Sequence, residues 1–192
     1  MVVAGAFPGE RVEVAIEHAG PRRIVSRLRR VLQAAPGRVE SPCRCADACQ
    51  GCPLVAMAYP AQANFKETKV RAALARFESL REAKVRPVWT APHPLGYRTS
   101  AKLVFGRARG RVLLGLYRRG THEVVDIGDC PLHHPLINRI AAAVRQEVER
   151  QGVYVYDPVK RRGLLRYLTI RVSPALEKAM VTFVTAERNF TE

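Results

Sequence analysis

The chain has 192 residues, enough for one large domain or two small ones with a substantial core. Apolar residues make up 47% of it, which excludes a disordered tail, and no apolar run approaches the ~18 residues of a membrane-spanning helix. The formal charge is +15, from 32 Lys and Arg against 17 Asp and Glu, so the expected partner is a polyanion, with a nucleic-acid backbone as first candidate. No long helix sets bulky apolar residues opposite a basic face, so a membrane-surface protein is disfavoured. The start, Met1-Val2-Val3-Ala4-Gly5-Ala6-Phe7, lacks a basic region and meets Pro8-Gly9 too early for a secretory signal. The expected compartment is the cytoplasm.

In chain order, Arg11 to Ile16 alternates with period two and reads as a strand. Ala19-Gly20-Pro21 breaks it, and Ile24 to Leu32 forms a second, very basic strand ending at Pro36-Gly37. Two strands do not make an independent domain, so residues 1–40 read as part of a small β-barrel. Residues 41–60 form a cysteine-rich loop. Gln62 to Lys84 has helical spacing, with Phe65, Val70, Leu74 and Phe77 toward one face as a cover over the core, and Arg86-Pro87 stops it. Tyr97 to Phe105, Val112 to Tyr117 and His122 to Ile127 then read as an antiparallel meander, with turns at Arg107–Gly110 and Arg118-Arg119-Gly120. A helix from Pro135 to Gln151 carries Leu136, Ile140, Val144 and Val148 at spacings of four, closed by Gly152. Strands at Leu164–Val172 and Ala179–Ala186 complete an α+β chain with two main helices.

Four of the five cysteines, Cys43, Cys45, Cys49 and Cys52, fall within ten residues, and Cys130 follows far downstream. Neighbours this close make strained disulfides, and a reducing cytoplasm disfavours them further. Short loops instead let several thiolates converge on one metal centre. Two ligand sets are open. Cys43, Cys45, Cys49 and Cys52 would bind one zinc ion, whereas Cys43, Cys49, Cys52 and Cys130 suit a 4Fe–4S cluster. His133 and His134 sit beside Cys130 and read as helix-start residues without a ligand role.

Arg98 and Lys102 lie an even number apart on one expected strand and so share a face; Arg161, Arg162 and Arg166 extend a basic patch toward phosphates. Tyr97 and Tyr167 would stack on unpaired bases.

Several segments in order carry a resemblance. Ala6-Phe7-Pro8-Gly9-Glu10-Arg11-Val12, Arg38-Val39-Glu40-Ser41-Pro42-Cys43 and Cys43-x5-Cys49-x2-Cys52 with a late Cys130 are followed by Gln62, Lys66, Val70 and Leu74. Then come Gly96-Tyr97-Arg98-x3-Lys102, Leu114-Gly115-Leu116-Tyr117-Arg118, Asp129-Cys130-Pro131-Leu132 and Gly163-Leu164-Leu165-Arg166-Tyr167-Leu168. Together they resemble the N-terminal portion of the RNA uracil-5-methyltransferases that act on ribosomal and transfer RNA. The resemblance implies a partial, OB-like TRAM barrel over 1–40, a 4Fe–4S loop over 41–60 held by Cys43, Cys49, Cys52 and Cys130, and a central α+β RNA-binding domain over 61–192. It also implies an S-adenosylmethionine-binding domain with a nucleophilic thiolate and a general base. No glycine-rich loop follows a strand here, and Cys45 is an extra thiol. The chain alone is therefore expected to bind RNA, ribosomal more than transfer, without binding S-adenosylmethionine and without activity. Two rival readings are a zinc-stabilised RNA-binding module and a free-standing regulatory or assembly protein whose partner chain bears the methyltransferase domain.

Overall fold

The structure, a computed structural model, describes residues 2–49, 51–118 and 120–187. Residue 119 of the expected turn, residue 50 of the cysteine stretch and the chain end lie outside the described residues. The observed class is α+β: a mixed three-stranded sheet, an antiparallel five-stranded sheet and two helices of 16 residues. The chain divides into two compact units, Met1–Arg44 with Cys52–Pro92, and Cys45–Gly51 with His93–Glu192.

In the first unit, β1 (Val2–Ala4), β2 (Arg11–Ala19) and β3 (Ile24–Gln33) form a sheet in the order β1-β3-β2. The strand β1, which sequence periodicity misses, pairs parallel to β3; β2 runs antiparallel to β3 with three register shifts. Gly20 N donates to Arg23 O at 3.0 Å to close the hairpin. The loops at the other end are locked by Glu10, whose side chain is fully buried. Its carboxylate accepts from Phe7 N at 2.8 Å, Ala35 N at 3.3 Å, and Arg38 Nε and Nη2, the latter at 2.7 Å. Arg38 also lies 4.4 Å over the Phe7 ring and donates to Gly5 O. These bonds hold the Glu10 carboxyl below the usual glutamate range, the guanidinium outweighing the opposing effect of burial.

Helix α2 (Tyr59–Leu74) begins three residues before and ends ten residues before the expected span. Phe77 takes an extended conformation (φ −112°, ψ 123°) that stops helical continuation, and a short 3-10 turn follows at Glu78–Leu80. The expected core-facing stripe is also corrected, since α2 buries none of its residues and Phe77 is 61% exposed. Half of its apolar residues are alanines, and the apolar positions are spread around the axis, so no face gains enough by burial to orient it.

The second unit contains a short helix α1 (Ala46–Cys49), β4 (Ser100–Ala108), β5 (Arg111–Tyr117), β6 (Val124–Asp126), α3 (Pro135–Arg150), β7 (Leu165–Ser173) and β8 (Lys178–Thr185). The sheet order is β6-β5-β4-β7-β8, antiparallel throughout. Arg109 and Gly110 both adopt positive φ, 50° and 78°, forming the two-residue reversal between β4 and β5. Helix α3 matches its expected span, with Gly152 (φ 65°) as the terminating residue. It packs Ile137, Ala141 and Val148 onto Leu103, Phe105, Leu114, Leu168 and Ile170 from one face of the sheet. In β7, Leu165 and Leu168 both point inward because a bulge lies between Leu165 and Tyr167.

β6 covers β5 only over Gly115–Tyr117. Beyond it, Val112 N donates to Glu149 Oε1 at 2.8 Å and Leu114 N to Asp126 Oδ1 at 3.1 Å. Asp126 is in turn paired with Arg145 Nη1 of α3 at 3.0 Å. At the other margin β8 is exposed almost throughout.

Candidate nucleic-acid interface and cysteine segments

The face of the five-stranded sheet opposite α3 gathers aromatic rings and cations. Val104 pairs with Tyr167 and Lys102 with Thr169, so Lys102 and Tyr167 are diagonal neighbours on that face. Lys102 Nζ lies 4.5 Å from the Tyr167 ring centroid. Arg166, the residue at the bulge, lies 4.7 Å over Tyr156 and 5.8 Å from Tyr167. Tyr117, from β5, hydrogen-bonds the Tyr167 hydroxyl. Burial pushes the Tyr117 phenol up, Tyr167 adds to this through its charge and hydrogen bond, and Arg166 opposes it. Two tyrosine rings capped by two cations offer π-faces and positive charge side by side, the chemistry that grips a single-stranded polynucleotide.

Of the residues expected in this patch, Lys102, Arg166 and Tyr167 come together. Arg161 and Arg162 are exposed on the turn that follows Tyr156, where Arg162 O accepts from Asp157 N at 2.8 Å and Arg161 has φ 53°. Asp157, held below the usual aspartate range by Lys160 N and Val159 N, shapes this turn.

The expected pairing of Arg98 with Lys102 on one strand is corrected. β4 begins only at Ser100, because Gly96–Arg98 instead run beside 131–133. Gly96 N donates to Pro131 O at 2.9 Å, Arg98 N to Leu132 O at 2.8 Å, and His134 N to Arg98 O at 2.9 Å. Arg98 Nη2 reaches Gly51 O at 3.3 Å. Its guanidinium is thereby drawn to a cysteine-bearing segment. Tyr97, 56% exposed, precedes the strand.

The cysteines lie in two groups. In the first unit Cys43 is clamped by Ser41, whose hydroxyl accepts from Cys43 N and donates to Cys43 O, and Cys52 opens a turn closed by Val55 N. In the second, Cys45 opens helix α1, its carbonyl accepting from Cys49 N at 2.8 Å, and its thiol donates to Asp126 O at 3.6 Å. A Cβ at Gly51 would stand 3.3 Å from Cys49 Sγ, so any larger residue there would press on that sulfur.

Cys130 is buried, and Asn138 of α3 fixes its loop by accepting from Cys130 N and donating to Cys130 O and Asp129 Oδ1. Burial raises the Cys130 thiol, but hydrogen bonds from the His133 side chain and the Leu132 backbone bring it below the usual thiol range. His134 caps α3 by accepting from Leu136 N, as a helix-start residue should, while His133 has the additional contact with Cys130. Asn138 and His133 were not expected to support this loop; their roles depend on the fold bringing α3 to Cys130. Cys43, Cys45, Cys49 and Cys52 are half-buried and Cys130 is buried. Among the described residues no three His, Cys, Asp or Glu side chains converge on a common ion position.

No protein-family model matches this sequence. A curated protein of Geobacter sulfurreducens, named an uncharacterized RNA methyltransferase, is 44% identical over 191 residues, covering 99% of this chain and 39% of the relative. One of Gloeobacter violaceus with the same description is 34% identical over 96% of this chain and 40% of its own length. The chain is homologous to part of each of these relatives. It spans about two-fifths of the length of these relatives. Its fold is similar to 42% of the crystal structure of Pyrococcus abyssi tRNA (uracil-54, C5)-methyltransferase, solved with S-adenosyl-L-homocysteine, at a TM-score of 0.73 and 23% identity. No helix of the described residues is long and apolar enough to cross a membrane.

Proposed function

We propose that this chain is the RNA-gripping and iron–sulfur portion of an S-adenosylmethionine-dependent RNA uracil-C5 methyltransferase of the cytoplasm, with ribosomal RNA as the substrate. The observation that carries the proposal is the cation-capped tyrosine face around Lys102, Tyr167 and Arg166, in a chain homologous to RNA methyltransferases. Tyr97, Arg98, Arg161 and Arg162 complete the RNA-binding set, with Arg98 acting from beside the cysteine segment. Residues 1–40 serve as a partial TRAM-like barrel, 41–60 as the cluster loop and 61–192 as the central domain. S-adenosylmethionine binding and methyl transfer belong to the full-length enzyme, so the chain alone is inactive.

Cys43, Cys49, Cys52 and Cys130 hold a 4Fe–4S cluster, which when bound supplies a structural pin for these loops. The 4Fe–4S set leaves out Cys45, whose Sγ lies 3.6 Å from Asp126 O, whereas a zinc site would need it. Anaerobic purification with iron, sulfide and zinc analysis tests it. About four irons per chain, lost in Cys130→Ser and kept in Cys45→Ser, is the expected outcome. One zinc ion that survives Cys130→Ser refutes it.

RNA binding is tested by titrating the chain into labelled ribosomal and transfer RNA fragments at several salt concentrations. Lys102→Ala and Arg166→Ala should each weaken binding and reduce the salt slope by about one. Equal affinity of these variants and the wild type would remove this face from the interface. Preference for transfer RNA would reassign the substrate.

A further inference from the structure

The single tryptophan of the chain, Trp89, is 100% exposed. An indole left wholly in water forgoes the burial that aromatic side chains ordinarily supply to a core. The segment that carries it is nonetheless tied down on both sides. Arg71 of α2, itself paired with Glu67 at 2.8 Å, donates through Nη2 to Val85 O at 3.0 Å. Past the ring, Ala91 N donates to the Tyr59 hydroxyl at 2.7 Å. Pro87, Pro92 and Pro94 restrict the residues before them to extended backbone. Val85 and Val88 are half-buried while Trp89 is not. The ring is therefore presented by a braced segment.

Charge indicates what it is presented to. Between Glu82 and Glu123 the sequence contains no Asp or Glu, and Lys84 and Arg86, in the same unit as Trp89, lie just before it in that interval. An aromatic face in a carboxylate-free, cationic stretch matches a ligand that couples negative charge to flat π-surfaces, which is unpaired RNA. A duplex hides its base faces in the stack and offers the ring nothing.

We propose that Trp89 is a stacking platform for an unpaired RNA base. The inference rests on the RNA-binding reading above and adds a residue, in a separate unit of the chain, that sets the preference for single strands.

The full chain is titrated with a short oligouridine and with an RNA duplex of equal length, recording tryptophan emission and the anisotropy of end-labelled RNA. Oligouridine should quench the emission with the same midpoint as the anisotropy. Trp89→Ala should weaken oligouridine binding by roughly 5- to 100-fold, and Trp89→Phe should recover much of that loss. Duplex affinity should not respond to Trp89→Ala. Because the side chain is fully exposed, the circular dichroism of the variants should equal that of the wild type. If labelled oligouridine binds but emission is unchanged and Trp89→Ala binds equally, the inference falls while the RNA-binding reading stands. If neither RNA binds, the RNA-binding reading falls and takes this one with it. Emission that shifts with protein concentration in the absence of RNA would assign the ring to a protein contact and overturn the proposal.

Discussion

Replacing Glu10 with glutamine keeps the shape of the side chain and removes its charge, so it isolates the buried pair with Arg38. In the wild type the carboxylate receives four N–H donors, two from the backbone and two from the guanidinium. Glutamine presents an NH2 group to some of these donors and leaves Arg38 without a counter-charge. Removing one partner of a buried pair costs ~3–5 kcal/mol. Arg38 retains 19% of its side chain in solvent, and hydration there offsets part of the loss, so the expected cost is about 3 kcal/mol.

The same pair sets a pH dependence. Because the folded Glu10 carboxyl titrates below the unfolded one, its stabilisation is fully present above the ordinary glutamate range and is lost as pH falls through the lower, folded value. Glu10→Gln should flatten that acid limb. Urea unfolding at several pH values measures both effects, with hydrogen exchange of the Phe7 and Ala35 amides assigning the transition to the first unit. A double-mutant cycle with Arg38→Met should return a coupling of about 2 kcal/mol. A loss of less than ~1 kcal/mol, the worth of an exposed pair, together with zero coupling would refute the reasoning.

Three further outcomes are expected. In Gly115→Ala the new Cβ would stand 1.8 Å from Val125 O, so the β5–β6 pairing must open; a loss above ~4 kcal/mol is expected by thermal unfolding, whereas Gly128→Ala, with nothing within 4 Å, should match the wild type. Asn138→Ala removes the bonds that fix the Cys130 loop, which should cost ~1–3 kcal/mol and speed the reaction of Cys130 with a thiol reagent. Spectrophotometric titration should reveal a late-ionising tyrosine that is lost in Tyr117→Phe and shifts down in Tyr167→Phe, since burial and the Tyr167 hydroxyl both raise Tyr117.

Elements with one clear period could be read directly from the residues. Helix α3 shows Leu136, Ile140, Val144 and Val148 at helical spacing, and its N-cap histidine and terminating Gly152 lie where expected. Strands β2 and β3 are similarly evident from alternation and the Gly20-Pro21 break. Elements governed by partners elsewhere in the chain were not legible. Tyr97 and Arg98 look like the start of β4, but pairing with 131–133 claims them. Alanine-rich α2 has no face to mark its end, and the bulge in β7 reverses the alternation that would have placed Arg166. In the candidate interface Lys102, Tyr167 and Arg166 could be named in advance. Tyr117 could not, because only the strand order brings it alongside, nor could Tyr156, which lies outside the strands and is placed by its backbone bond to Leu165 O.

The carboxylates of Glu149 and Asp126 occupy the amides of Val112 and Leu114 where β6 no longer reaches. A strand approaching that margin would meet negative charge and donors already engaged, so its pairing there would cost two hydrogen bonds before gaining any. The opposite margin, along β8, is exposed almost throughout. The sheet therefore has a polarity of growth. A further strand, whether from the remainder of a longer polypeptide or from a second copy, would be admitted beside β8 and refused beside β5.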